Sequence, residues 1–183
     1  MRRAFYILMY KITGWKIVGG MPENEKKFVL IVAPHTSFWD FPVGLGARSI
    51  LRLKTKFLGK KELFKNPFVG TILKWMGGIP VDRGNRSNGI VDSVVKHYNN
   101  NDEFVVTITP EGTRAYAKRW KTGFYRIAKE ANVPIVMVGF DFERKIVEMC
   151  EPFYPTEDMD KDMKDILNYF KGMIGKNPEL GVK

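Results

Sequence analysis

Six short runs rich in valine and isoleucine constrain this chain more than any other feature. They are "FVLIVAP" (28–34), "TKFLG" (55–59), "GIPVD" (78–82), "EFVVTIT" (103–109), "PIVMVGF" (134–140) and "KIVEMC" (145–150). Short, β-branched and nearly continuous apolar runs mark strands buried on both faces. Between them, helices are expected near 39–52, 67–76, 87–98 and 120–131, and another starts near Thr156 and runs through "EDMDKDMKDILNYFKGMI". The period is clearest over 87–98, where Ile90, Val91, Val94, Val95 and Tyr98 are apolar. Strands alternating with helices imply an α/β fold: a single-domain layered sandwich with a mainly parallel, mixed sheet flanked by helices. The 183 residues suffice for one such domain, and no repeat, low-complexity segment or linker divides them.

The N-terminal stretch "MRRAFYILMYKITGWKIVGG" carries Arg2, Arg3, Lys11 and Lys16 and no acid. A helix over residues 1–20 brings Phe5, Leu8, Met9, Ile12 and Trp15 to one side, at spacings of three and four. That pattern fits an amphipathic helix lying in a membrane interface, followed by one globular domain over 21–183. It also fits a helix that packs on a core, and the pattern alone leaves both readings open. No run reaches the ~18 apolar residues that a spanning helix needs.

Thirty lysines and arginines against twenty acids give a net charge of +10. The excess gathers in residues 44–86, with ten basic side chains and only Glu62 and Asp82 opposing them. Such a patch suits a polyanion: nucleic acid, an anionic bilayer surface or a phosphorylated substrate. The single cysteine, Cys150, excludes an internal disulfide and is in keeping with a reducing compartment.

In α/β folds chemistry collects beyond the carboxyl ends of the strands. The richest polar segments lie there: "HTSFWD" after 28–34, "DRG" after 78–82 and "TPEGTR" after 103–109. His35 leaves an apolar strand, and Asp40 folds back to it if residues 36–40 turn into a helix. A carboxylate on one imidazole nitrogen fixes the tautomer and supports the cation formed when the other nitrogen takes a proton. Ser37 lacks a G-x-S-x-G elbow, and two distant histidines with one cysteine make no zinc-type spacing, so no metal is expected. The simplest use of His35 and Asp40 is general-base activation of a substrate hydroxyl. His97, among polar residues near a helix end, is read as structural. Arg83 and Arg114 match phosphate geometry through paired donors, and Gly112, between Glu111 and Thr113, allows close backbone approach. Alone, "PEGT" reads as a turn; at successive strand ends with His35, Asp40 and Arg83, it reads as part of a cleft.

His35-x4-Asp40, "GGIPVDRG" (77–84), "TPEGTR" (109–114) and "VPIVMVGF" (133–140), in that order, resemble the four blocks of the lysophosphatidic acid acyltransferase superfamily. The likeness spans about residues 28–140 and implies a glycerol-3-phosphate acyltransferase-like fold. It also implies transfer of a fatty acyl group from acyl carrier protein or coenzyme A to the hydroxyl of a lysophospholipid. On that likeness His35 and Asp40 are catalytic, and Arg83, Glu111, Gly112, Thr113 and Arg114 bind the acceptor. No permanently bound cofactor is implied; the acyl thioester is a co-substrate. The enzyme is then expected as a peripheral or monotopic protein on the cytoplasmic face of the cell membrane. The chain departs from the family pattern at Ala33-Pro34, where asparagine usually precedes the histidine, and at Thr109 and Ala115. A lyso-aminolipid or another lysolipid therefore stays open as acceptor. The rival of another class is a basic nucleic-acid-binding module. No RRM, KH, zinc-finger or basic-zipper signature supports it, and no nucleic acid is expected as partner.

Overall fold

A computed structural model describes residues 2–22, 24–81 and 87–182. The strands are β1 (Lys16–Val18), β2 (Lys27–Ala33), β3 (Lys56–Lys60), β4 (Gly78–Val81), β5 (Phe104–Ile108), β6 (Ile135–Asp141) and β7 (Ile146–Met149). The helices are α1 (Arg2–Thr13), α2 (Asp40–Ile50), α3 (Pro67–Trp75), α4 (Ser87–Asn99), α5 (Gly123–Glu130) and α6 (Met159–Phe170). One sheet takes the strands in the order β1-β7-β6-β2-β5-β3-β4, parallel throughout except for the antiparallel β6–β7 pair. This is the α/β sandwich that the alternating pattern predicts.

The pleat divides β2 between two cores. Val29, Ile31 and Ala33 join Ile135 and Met137 of β6 on one face, under α4, α5 and α6. Phe28, Leu30 and Val32 join Val136, Val138 and Phe140 on the other, with Tyr10 of α1 and Val43 and Ala47 of α2. Both faces of the central strands are covered, which is why their sequence is apolar without alternation. The crossover from β3 to β4 runs in the same direction across the sheet as that from β2 to β3. Right-handed connections therefore place α3 on the same face as α2. Side-chain bonds tie this layer together: Arg3 Nε donates to the Ile50 carbonyl at 3.0 Å, and Arg48 Nη1 to that of Met76 at 2.8 Å.

The expected helix over 1–20 ends early. Gly14 has φ of +78°, and the Trp15 N–H donates to the Tyr10 carbonyl at 2.9 Å. That bond spans the last turn as in a glycine-terminated helix, and the Tyr10 and Trp15 rings meet with centroids 6.3 Å apart. Residues 16–18 then form β1, parallel to β7. Trp15 accordingly leaves the apolar face assigned to it and packs edge-on against Phe142 at 4.9 Å. Tyr10 is buried and its hydroxyl donates to the Val43 carbonyl at 2.6 Å, so α1 is attached to α2 and the body of the domain. Phe5, Leu8 and Ile12 remain exposed.

Candidate active site

β2 and β5 are parallel neighbours, with Ile31 opposite Ile108, so the loops leaving their carboxyl ends are adjacent. The β2 loop passes through a cis Ala33–Pro34 bond to His35, and a turn over 37–39 leads into α2 at Asp40. That turn brings Asp40 back under the histidine: His35 Nδ1 and Asp40 Oδ2 are 2.9 Å apart. Since a carboxylate only accepts, Nδ1 carries a proton, and in the neutral ring this leaves the lone pair on Nε2. About 20 % of the His35 side chain is open to solvent, against 2 % of Asp40. The same Oδ2 accepts the backbone N–H groups of Thr36 and Ser37, each at 2.9 Å. The acid thus fixes both the ring and the loop that bears it.

Glu111 arrives from the β5 loop. It is buried, and its Oε1 accepts the His35 backbone N–H at 2.9 Å. Burial pushes the Glu111 carboxyl above its ordinary range, and the Asp40 charge adds to that, while the His35 N–H pulls the other way. Asp40 Oδ1 and Glu111 Oε2 are buried and meet no donor among the described residues. Glu111, which the family likeness assigns to the acceptor, holds the histidine backbone in this structure.

Gly112, Thr113 and Arg114 of the third block are exposed. Gly112 has φ of +66°, and its N–H donates to the Thr109 carbonyl at 3.1 Å, closing a tight turn. The positive φ favours glycine there, and the Lys121 side chain lies over it, with Nζ 2.8 Å from where a Cβ would stand. Thr113 Oγ1 accepts the Ala115 N–H at 3.2 Å. The Arg114 guanidinium lies 5.7 Å from the Phe38 ring centroid, joining the third block to the histidine loop. Arg83 lies outside the described residues. The structure therefore brings together His35, Asp40, Glu111 and, through Phe38, Arg114.

Two contributors escaped sequence reasoning. Lys121 was read only as a helix start, yet its N–H donates to the Pro110 carbonyl at 2.9 Å and its side chain lies on Gly112. Asn177 carried no signal at all. Its Nδ2 donates to the Thr36 carbonyl at 2.8 Å and its N–H to Thr36 Oγ1 at 3.2 Å, across 141 residues. His97, by contrast, stacks on Phe104 at 5.4 Å, as a structural histidine does. Trp120 packs near Phe170, with ring centroids 5.3 Å apart.

A family model described as Acyltransferase matches residues 17–141, a stretch that contains every candidate site residue above except Asn177. Similar relatives carry the name 1-acyl-sn-glycerol-3-phosphate acyltransferase. That of Haemophilus influenzae is 30% identical over 188 residues, covering 92% of this chain and 76% of the relative. That of Escherichia coli is 30% identical over 132 residues, covering 68% and 52%. That of Streptococcus pneumoniae is 29% identical over 143 residues, covering 76% and 52%. The chain thus spans about half the length of the last two. The crystal structure of the 1-acyl-sn-glycerophosphate (LPA) acyltransferase PlsC from Thermotoga maritima superposes with a TM-score of 0.65, over 92% of this chain and 75% of that one. At 20% identity this likeness establishes the shared fold. By the extent of the matched region, and with the paired histidine and aspartate inside it, this chain belongs to the acyltransferase family.

Proposed function

We propose that this protein transfers a fatty acyl group from an acyl carrier protein or coenzyme A thioester to the free hydroxyl of a lysophospholipid resembling 1-acyl-sn-glycerol-3-phosphate. The observation that carries the proposal is the 2.9 Å contact between His35 Nδ1 and a buried aspartate that also braces the loop. The names of the relatives support the acceptor class.

His35 Nε2 takes the proton of the acceptor hydroxyl as its oxygen attacks the thioester carbonyl. Asp40 stabilises the charge that the ring gains. The tetrahedral intermediate then collapses, the C–S bond breaks, and the departing thiolate recovers the proton from the imidazolium. A thioester is already activated, so base catalysis and orientation carry most of the work. Arg114 and Arg83 grip the acceptor's anionic end. The exposed apolar residues of α1, with its basic side chains, hold the enzyme in the cytoplasmic membrane interface. Among the described residues, no helix is long and apolar enough to cross a membrane.

The test is incubation of the purified chain with acyl carrier protein and coenzyme A thioesters and a lysolipid panel, with products identified by mass spectrometry. Acylated lysophosphatidic acid is the expected product. The panel includes a lyso-aminolipid, because the departures at Ala33-Pro34, Thr109 and Ala115 favour asking whether the headgroup differs. No product with any acceptor overturns the reading.

A further inference from the structure

The exposed large apolar side chains are unevenly placed. On the layer made by α1, α2 and α3 they include Phe5, Leu8, Ile12, Phe41, Phe68 and Ile72. Of the nine residues of α3 only Gly70 is buried, although the helix reads "PFVGTILKW" with one charge. Its inner side is accounted for: a Cβ on Gly70 would meet the Phe64 carbonyl oxygen at 2.6 Å, so helix and preceding turn are in close contact. Its outer side is apolar, and Phe68 is 76% exposed.

Position adds to composition. β3 runs parallel to β5, and β5 to β2, so the start of α3 lies at the sheet end that carries His35. β1 runs antiparallel to β2, through β7 and β6, so the end of α1 that leads into it lies at that same end. Phe38 and Trp39, both exposed, sit there in the histidine loop. Exposed lysines flank the helix: Lys60, Lys61 and Lys65 before its first turn and Lys74 in its last. Apolar side chains between lysines, on the same side of the sheet as the open face of α1, complement an anionic lipid surface rather than water.

We propose that α3 is a second membrane-contacting element, inserting Phe68 and Ile72 into an anionic bilayer so that the His35 end of the sheet faces the lipid. The inference rests on the lipid-acyltransferase reading, since it supplies a reason for that end to meet a bilayer. With α1 alone the molecule pivots about a single helix. Contact through α1 and α3 together fixes its orientation and presents the site to an acceptor that stays in the leaflet.

The experiment uses the full chain and sedimentation with vesicles of phosphatidylcholine, with and without phosphatidylglycerol. Phe68→Ser/Ile72→Ser is expected to lower the partition coefficient at least about tenfold. Transfer to lysolipid embedded in vesicles falls with it, while transfer to the same lysolipid in detergent micelles keeps the parent rate. Lys61→Glu/Lys65→Glu is expected to weaken the preference for phosphatidylglycerol. Parent-like vesicle binding by Phe68→Ser/Ile72→Ser, with transfer intact in detergent, overturns the α3 assignment alone. Parent protein that binds vesicles through α3 but transfers nothing in either medium overturns the acyltransferase reading and leaves the assignment standing. Self-association in lipid-free buffer that the same double variant abolishes, without a change in vesicle binding, gives the face to a second copy and also overturns it.

Discussion

The two loops that meet at the site are built in opposite ways. Residues 34–40 are held from three sides: by Asp40 from within, by Glu111 from the neighbouring strand end and by Asn177 from the C-terminal segment. Residues 112–115 are exposed and closed by local turn bonds, with Lys121 lying across the first of them. The difference follows from what each loop does in the proposed reaction. A base must stand still, because a small misplacement removes much of the advantage of a fixed geometry. Side chains that grip a mobile headgroup gain from remaining solvated and adjustable until the ligand arrives.

Substitutions test that contrast. The largest expected effect is from His35→Ala, which lowers kcat by about 10²–10⁴-fold while the far-ultraviolet circular dichroism is unchanged. Asp40→Asn follows at about 10²–10³-fold, since it keeps the acceptor for Thr36 and Ser37 but loses the charge that supports the ring. Asn177→Ala is expected to lower kcat roughly tenfold with KM nearly unchanged, because it loosens the loop without touching the acceptor. Arg114→Ala does the reverse: KM for a phosphorylated acceptor rises about fivefold and kcat holds. Steady-state kinetics on paired phosphorylated and unphosphorylated acceptors separates these two. If Asn177→Ala and Arg114→Ala gave the same KM and kcat pattern, the contrast between loops would be lost.

The smallest effect concerns stability. The folded-state pKa of Glu111 is raised, so its contribution is fully present below its ordinary value of 4.5 and is lost as pH rises through the folded value. Glu111→Gln retains an acceptor for the His35 N–H and has no charge to bury. Its Tm relative to the parent should therefore climb as pH goes from acidic to neutral. Thermal scans across that range check it, and a flat difference counts against a buried carboxylate that resists ionisation.

Much of this was legible in the chain. The six apolar runs mark six of the seven strands, since strands buried on both faces need no partner to be recognised. The five-residue spacing from His35 to Asp40 is short enough for one turn to close it, so sequence alone brings them together. The limit shows at Gly14, where the apolar spacing continues into Trp15 and conceals the end of α1. Glycine there was the available signal, and β1 is too short to announce itself.

Sequence by itself therefore determined the layered architecture, the histidine–aspartate pair and the concentration of positive charge, because each arises from neighbours along the chain. Only the tertiary structure decided that Glu111 steadies the histidine backbone, that Asn177 reaches the loop across 141 residues and that α3 turns an apolar side outward. Those depend on which distant segments the sheet order brings side by side, and no local pattern of residue types encodes a contact between segments so far apart.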